Sequence, residues 1–187
     1  MSIKYELTDE TKNINGITLH RIRALRDIPS VGVKSGDLGG WIEKESNLCQ
    51  NDNAWVCGNA KVYGNARVCG NAEVYDDAWV CGNAKVYGNA RVYDNAEVYG
   101  NARVYDNAEV YGNADYMTFK NTWSSGRWFT YTRSNQKWAV GCFYGTGEEL
   151  IKKAYADSEL SGKCYEAIVR AVETIEAAKA KAKGEMK

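Results

Sequence analysis

Between Ala54 and Ala114 the chain alternates apolar and polar positions, and the pattern returns every six residues. Each unit contains an alanine, a variable and mostly charged residue, a valine, a tyrosine or cysteine, and then a pair such as Gly-Asn or Asp-Asn. A period of two places the alanine and the valine on one face of a short strand. Gly, Asn and Asp tolerate positive φ, so each pair predicts a corner.

One such strand buries little surface by itself, whereas stacked coils cover one another's alanines and valines and share backbone hydrogen bonds. A buried valine contributes about 1.5–3 kcal/mol, so the repeated valines offset much of the ordering entropy. The pattern therefore predicts a mainly β protein that is built around a parallel β-solenoid over residues 42–117.

The number of sides in each coil follows less directly from the repeat. A 12-residue, two-sided coil would align Cys57, Cys69 and Cys81 in one column. Two sheets that pack face to face lie about 10 Å apart, and a two-residue corner spans less than that. We therefore expect a three-sided coil of 18 residues, and the 12-residue pattern would reflect gene duplication.

Residues 1–41 predict an N-terminal β cap, because an open solenoid end is an unpaired sheet edge. The stretch "INGI", Ile14 to Ile17, is a hairpin-turn signal between two alternating segments. Ile42 and Leu48 then fall in six-residue register with Ala54, so we expect them to share its column.

Residues 118–187 predict a C-terminal α+β unit with the order ββαα. Two aromatic-rich segments are typical of antiparallel strands. Thr146 and Glu149 have capping-box spacing and predict the start of a helix, and a final helix is expected from about Ser161. This unit exceeds the length that a cap requires, so it could be a separate binding module.

The 24 basic and 24 acidic side chains cancel, so no global field attracts nucleic acid or an anionic membrane. No apolar stretch approaches the roughly 20 residues of a membrane span, and the N-terminal residues lack the apolar core of a secretory signal. We therefore expect a soluble protein of the cytoplasm with no membrane partner.

The chain has six cysteines, and three of them occupy positions where other units carry tyrosine. Because tyrosine occupies the same position in other units, this position requires a large side chain rather than a cysteine that forms a disulfide. In the expected reducing compartment we predict free thiols. No pair of CxxC motifs is present, so we predict no zinc site.

Candidate catalytic residues are few. His20 is the only histidine and lies ahead of the repeat, so we expect a structural role. Cys142 has apolar neighbours and no adjacent base to activate a thiolate. Gly145–Leu150 lacks the lysine of a phosphate loop, and Asp94 and Asp106 fit turns rather than calcium sites. The sequence predicts no catalytic residue, no metal and no cofactor.

In the three-sided arrangement the variable residues of one face are all cationic, and stacked like charges repel. Such a row, beside tyrosines, indicates a surface for an acidic partner or for single-stranded bases, and the alternative is a solvated face that repeat duplication produced. Outward tryptophans are common interface anchors, and the alternative for Trp55 and Trp79 is packing under a terminal cap. The candidate binding residues are Trp55, Trp79, Arg67, Lys85, Arg103, Tyr87 and Tyr105.

The repeated phrase Ala-x-Val-x-x-x resembles the hexapeptide motif of left-handed β-helix proteins, and it departs from that motif in the tyrosine after the valine. The resemblance implies a left-handed coil. Many hexapeptide-repeat proteins are acyltransferases, but the single histidine and the uninterrupted repeat argue against acyl transfer. "DLGGWIE", "NAxVYGNA" and "WAVGCFYGTGEEL" together look like a group of bacteriophage and prophage proteins, which implies a phage context.

These observations predict a non-catalytic, phage-encoded protein-binding module. We expect it to occlude a component of a bacterial defence system in the host cytoplasm, as an anti-CRISPR protein does. A self-assembling structural solenoid, or a homo-oligomer formed through the C-terminal helix, is the alternative. Nucleic acid binding is not favoured, and an acyltransferase is the weakest alternative.

Overall fold

A computed structural model describes residues 3–185 of the chain, and the side chains of residues 3–182. The chain begins with β1 (Tyr5–Ile14), β2 (Ile17–Ala24) and β3 (Leu38–Ile42). The predicted hairpin is confirmed, because β1 and β2 pair antiparallel across Asn15 and Gly16, which both have positive φ. Single 3-10 turns at Pro29–Val31 and Glu45–Asn47 flank β3.

The repeat forms ten short strands, each of which contains one variable residue and the valine after it. Their bounds are β4 Trp55–Val56, β5 Lys61–Val62, β6 Arg67–Val68, β7 Glu73–Val74, β8 Trp79–Val80, β9 Lys85–Val86, β10 Arg91–Val92, β11 Glu97–Val98, β12 Arg103–Val104 and β13 Glu109–Val110. Stacked strands of the solenoid run parallel, as predicted.

The solenoid has three sides, and we name each by its strands. Side 1 contains β3, β5, β8 and β11; side 2 contains β6, β9 and β12; side 3 contains β4, β7, β10 and β13. Val62 pairs with Val80, eighteen residues later, so the three-sided prediction is confirmed. The 12-residue alternative is wrong, since Cys57, Cys69 and Cys81 follow strands of three different sides. Left-handedness stays a prediction from the resemblance.

The interior of the coil is built from the alanines and valines of the repeat. Every alanine from Ala54 to Ala108 and every valine from Val56 to Val110 has 0% exposure at its repeat position. Close packing of these short side chains leaves no space for a larger one in the alanine columns. The predicted inward face is therefore confirmed.

Two residues ahead of the repeat occupy a different column from the predicted one. Ile42 pairs with Val62, and Leu48 forms a bridge with Val68, so both lie in valine columns. The prediction that they align with Ala54 is wrong. The segment between Leu48 and Val56 is two residues longer than a repeat unit, and this insertion shifts the first coil relative to the later ones.

The same insertion brings two cysteines together. Because Leu48 lies opposite Val68, the following residues Cys49 and Cys69 are neighbours, and they form a disulfide with Cα atoms 5.0 Å apart. The prediction of free thiols is wrong for this pair. Among the described residues Cys57, Cys81, Cys142 and Cys164 are free, and burial raises the pKa of the Cys57 thiol to about 11.

Removing this bridge is expected to destabilise the oxidised protein. Its two cysteines are 20 residues apart, and closing a loop of that size contributes about 3 kcal/mol in the chain-entropy description. The Cys49→Ser/Cys69→Ser variant should show this loss in urea unfolding without reductant. In dithiothreitol, wild type and variant should unfold alike, and a difference that persists there would assign the effect to packing instead.

The N-terminal hairpin covers the first coil and extends one of its sheets. β2 pairs antiparallel with β3, so side 1 becomes part of a six-stranded sheet. Tyr5, Ile22 and Ile28 are buried in the same apolar cluster as the solenoid alanines and valines. The N-terminal segment therefore closes the core at this end.

The hairpin also supplies hydrogen-bond donors where the solenoid ends in carbonyl groups. Each coil donates its N–H groups to the next coil, as in Trp55 N–H to the Ala72 carbonyl at 2.9 Å, so the carbonyls of the first coil need other partners. Lys4 Nζ donates to the Ala54 carbonyl at 2.7 Å. The Tyr5 hydroxyl donates to the Leu48 carbonyl at 2.8 Å.

The C-terminal unit contains four antiparallel strands and two helices, so the predicted order ββαα omits two strands. The strands are β14 Tyr116–Lys120, β15 Trp128–Thr132, β16 Lys137–Val140 and β17 Phe143–Gly145, and the helices are α1 Gly147–Asp157 and α2 Glu159–Glu185. The capping box is confirmed, since Thr146 and Glu149 bond reciprocally. Over its described residues, neither helix combines the length and apolar character that crossing a bilayer requires.

This unit covers the other end of the solenoid with hydrogen-bond acceptors. The last coil has free N–H groups, and side chains accept from them: Asn113 from Glu97 at 2.8 Å and Thr130 from Arg103 at 3.0 Å. Ser134 Oγ accepts from Glu109 at 2.7 Å. The two ends of the solenoid therefore have opposite polarity, and each cap carries the matching chemistry.

Candidate functional site

The variable positions of side 2 form a row of three cations. Parallel pairing places Arg67 beside Lys85, and Lys85 beside Arg103, so the predicted stacking is confirmed. Neighbouring strands lie about 4.8 Å apart, so these like charges repel. Within the part of the chain that the structure describes, none of the three forms an ion pair.

Side 3 has the same architecture and a row of charges that alternate in sign. Arg91 lies between Glu73 and Glu109, with nitrogen–oxygen distances of 3.4 and 3.9 Å. The repeat can therefore place compensating charges in one row, and side 2 does not have this compensation. Side 2 therefore differs from side 3 in having three cations in one row with no acidic residue between them.

A second row of side 2 is aromatic. Tyr87 and Tyr105 are neighbours in the column that begins with Cys69, and their rings meet edge to face at a centroid distance of 5.5 Å. Tyr144 of β17 continues the row, 6.4 Å from Tyr105. Burial raises the pKa of Tyr105 and raises that of Tyr144 to about 12, so both phenols are neutral hydrogen-bond donors at physiological pH.

The C-terminal unit extends the cationic row. Arg127 and Trp128 line a cleft of about 180 Å³ together with Lys85 and Arg103. Trp128 is 37% exposed, so part of its ring is open to solvent in this cleft. The Arg103 guanidinium donates to the Gly141 carbonyl at 2.6 Å, so the cap fixes its direction.

Lys120 lies over the Trp128 ring, with its ammonium nitrogen 5.9 Å from the ring centroid. We use the name cationic surface for the two rows of side 2 together with the neighbouring residues Lys120, Arg127 and Trp128. It consists of Arg67, Lys85, Arg103, Lys120, Arg127, Tyr87, Tyr105 and Trp128. Lys120, Arg127 and Trp128 lie outside the repeat, so no periodicity in the sequence connects them with this surface.

The two predicted tryptophan anchors lie elsewhere. The prediction that Trp55 anchors a partner is wrong and the alternative of packing under a terminal cap is confirmed, because its ring packs edge-on against Tyr5 under the N-terminal cap and is 2% exposed. Trp79 is half-buried on side 1, where Lys61 Nζ lies 4.9 Å from its ring centroid. Neither residue belongs to the cationic surface.

The residues weighed for catalysis and for metal binding are separated in the structure. His20 lies in β2 with Nδ1 3.3 Å from the Thr8 carbonyl oxygen, whereas Cys142 is exposed between β16 and β17. Asp94 and Asp106 have φ of 54° and 58°, which confirms their turn role. Cys49, Cys69 and Asp52 form a cluster, but the two sulfurs are bonded to each other.

A model of the YdcK beta solenoid repeat family matches residues 66–82, 84–100 and 96–112. These three segments lie within the solenoid strands and support the classification of the chain as a β-solenoid repeat protein. The match covers the coils only, so it identifies the architecture rather than an activity. A comparison with curated proteins found no match.

Proposed function

We propose that this protein is a non-catalytic binding module whose cationic surface docks onto an acidic surface of a partner protein. The observation that carries the proposal is the row Arg67–Lys85–Arg103, which has no acidic residue between its cations, whereas the charges of the row on side 3 alternate in sign. Opposite charges on a partner would relieve this repulsion and guide the encounter.

The aromatic residues favour a protein partner over single-stranded nucleic acid. Tyr87 and Tyr105 contact each other edge to face, and Tyr105 also contacts Tyr144, so these rings are already engaged and less available for stacked bases. Tyrosine, tryptophan and arginine are the residues most enriched at protein interface hot spots. The scaffold is held by stacked coils, which keeps the ordering cost of binding low.

A more specific role follows from the resemblance of the chain's organisation to phage proteins. In this role the protein acts in the host cytoplasm and occludes a component of a bacterial defence system, as an anti-CRISPR protein does. The small size and the separation of His20 from Cys142 support occlusion rather than catalysis or acyl transfer.

Self-association through α2 is a second candidate function. Leu160 is 59% exposed and Ile175 is 42% exposed on this helix, so both offer apolar contact to another copy. Both solenoid ends are covered by the terminal segments, which favours α2 over stacking of coils end to end. In this case the cationic surface would have no required role.

Charge reversal on side 2 is expected to weaken partner binding by roughly tenfold or more. The test uses tagged protein as bait in nuclease-treated bacterial lysate, followed by titration of the purified partner at two salt concentrations. Lys85→Glu should lose most of the captured partner, and its affinity should depend less on salt than that of wild type.

Arg91→Glu is the matched control, because it makes the same charge change in the next strand, on side 3. Its affinity for the partner should be within about twofold of that of wild type, because Arg91 lies outside the proposed interface. Equal losses in both variants would contradict a site on side 2. Recovery of the bait alone would favour self-association, and loss of all captured material on nuclease treatment would favour nucleic acid.

A further inference from the structure

A second cavity lies within the C-terminal unit, away from side 2. It has a volume of about 280 Å³ and opens between β16, β17 and the junction of α1 with α2. Phe143 and Leu150 contribute to its apolar wall, and Asn121, Ser161 and Tyr165 contribute polar atoms. Ligand pockets combine an apolar lining with a few convergent polar groups in this way.

Two buried hydroxyl groups in the cavity have unused hydrogen-bonding capacity. Ser161 is 6% exposed, and its backbone N–H donates to Ser158 Oγ at 3.1 Å, while its own hydroxyl forms no hydrogen bond with any described residue. The Tyr165 hydroxyl accepts from Asn121 Nδ2 at 3.2 Å and keeps its proton available. Both hydroxyl protons are therefore available to an acceptor atom on a bound ligand.

Two cations line the same cavity without acidic partners. Arg127 and Lys153 are exposed, and neither forms an ion pair among the residues with described side chains. Asp157 is the one acidic residue in the lining. Two cations against one acid favour an anionic ligand group, and charge-assisted bonds to it are stronger than neutral ones.

We propose that this cavity binds a small organic anion, a carboxylate or phosphate monoester with an apolar body. Its charged group lies near Arg127 and Lys153, its body lies against Phe143 and Leu150, and a polar atom accepts from Ser161 or Tyr165. The volume is just below the range of about 300–1,000 Å³ that holds drug-sized ligands, so the ligand is small. Arg127 also belongs to the cationic surface, whereas Lys153 and the apolar wall do not, so the Lys153 variant tests this site separately from the proposed partner.

The test titrates the full-length protein with benzoate and with phenyl phosphate, and follows backbone amide shifts by NMR. Benzyl alcohol, a neutral compound of similar shape, measures the apolar contribution alone. We expect saturable shifts at the amides around Ser158 and Ser161 with either anion, and at least tenfold weaker binding of benzyl alcohol. The tighter of the two anions identifies whether the site prefers carboxylate or phosphate.

Lys153→Gln and Lys152→Gln form a matched pair, because both lysines are exposed neighbours on α1 and Lys153 alone lines the cavity. Lys153→Gln should weaken anion binding at least fivefold, and Lys152→Gln should leave it unchanged. Ser161→Ala should weaken it severalfold without altering the circular dichroism of the helices. Equal binding of benzyl alcohol, or equal effects of the two lysine variants, would overturn the proposal, as would the absence of saturable shifts with both anions.

Discussion

Replacing Val86 with asparagine is expected to lower the free energy of unfolding by about 3 kcal/mol or more. Val86 lies in β9 with 0% exposure, between Val68 of one coil and Val104 of the next. The amide would lose its hydration among apolar side chains and gain no compensating hydrogen bond. Urea unfolding followed by circular dichroism measures the loss, unless the variant fails to fold at all, which is the same result in its extreme form.

Lys85→Asn in the same strand is the matched control for this substitution. Lys85 precedes Val86 and points outward, so its change should cost less than about 1 kcal/mol. A shape-conserving variant, Val86→Thr, should fall between the two, because the hydroxyl is buried but no large cavity forms. Similar losses for Lys85→Asn and Val86→Asn would contradict the assignment of the two residues to opposite faces.

The core of the solenoid could be predicted because the repeat determines it locally. A period of two fixes which residues face inward, and a corner too short to separate two packed sheets requires a third side. Both features concern residues within one unit or its neighbours. The terminal contacts depend on residues far apart in sequence, and the repeat contains no information about them.

The register of the first coil could have been inferred from residue size. Gly40-Trp41-Ile42 matches Ala54-Trp55-Val56 residue by residue, with a glycine where the repeat has alanine. A Cβ atom on Gly40 would lie 2.8 Å from the Ala60 carbonyl oxygen, so this position is restricted to glycine. Counting in sixes from Ala54 instead put Ile42 in an alanine column, where a branched side chain does not fit.

The candidate site was predictable only in its repetitive part. The row Arg67–Lys85–Arg103 follows from the 18-residue coil, since each residue repeats the position of the one before. Arg127 and Trp128 join it through the docking of the C-terminal sheet on β12. Trp55 is buried because Tyr5 covers it, and a contact across fifty residues has no signature in the local pattern.

Separating the buried pair Lys4–Asp52 is the second large effect that we expect. Lys4 is 0% exposed, and its ammonium donates to Asp52 Oδ1 at 3.0 Å and to the Ala54 carbonyl at 2.7 Å. Asp52 also accepts from Gly70 N–H at 2.5 Å, so it connects the cap to two coils. Removing one partner of a buried pair leaves an uncompensated charge and costs about 3–5 kcal/mol.

A double-mutant cycle with Lys4→Met and Asp52→Asn measures this coupling. Each single variant should lose about 3 kcal/mol or more at neutral pH, and the double variant should lose clearly less than the sum. Methionine fills the space of the lysine stem without a charge, which removes the desolvation cost. Strictly additive losses would show that the pair acts only through separate packing effects.

The pH dependence of Asp52→Asn provides an independent check. Burial lowers the pKa of Lys4 below its ordinary value, and the hydrogen bond that Lys4 donates to Asp52 partly opposes this effect. Without the carboxylate the folded-state pKa should fall further, so between that pKa and about 10.5 the unfolded chain binds more protons than the folded one. Asp52→Asn should therefore regain stability relative to wild type as the pH rises towards 10.5, whereas Lys4→Met, which has no ammonium group to neutralise, should show no such gain.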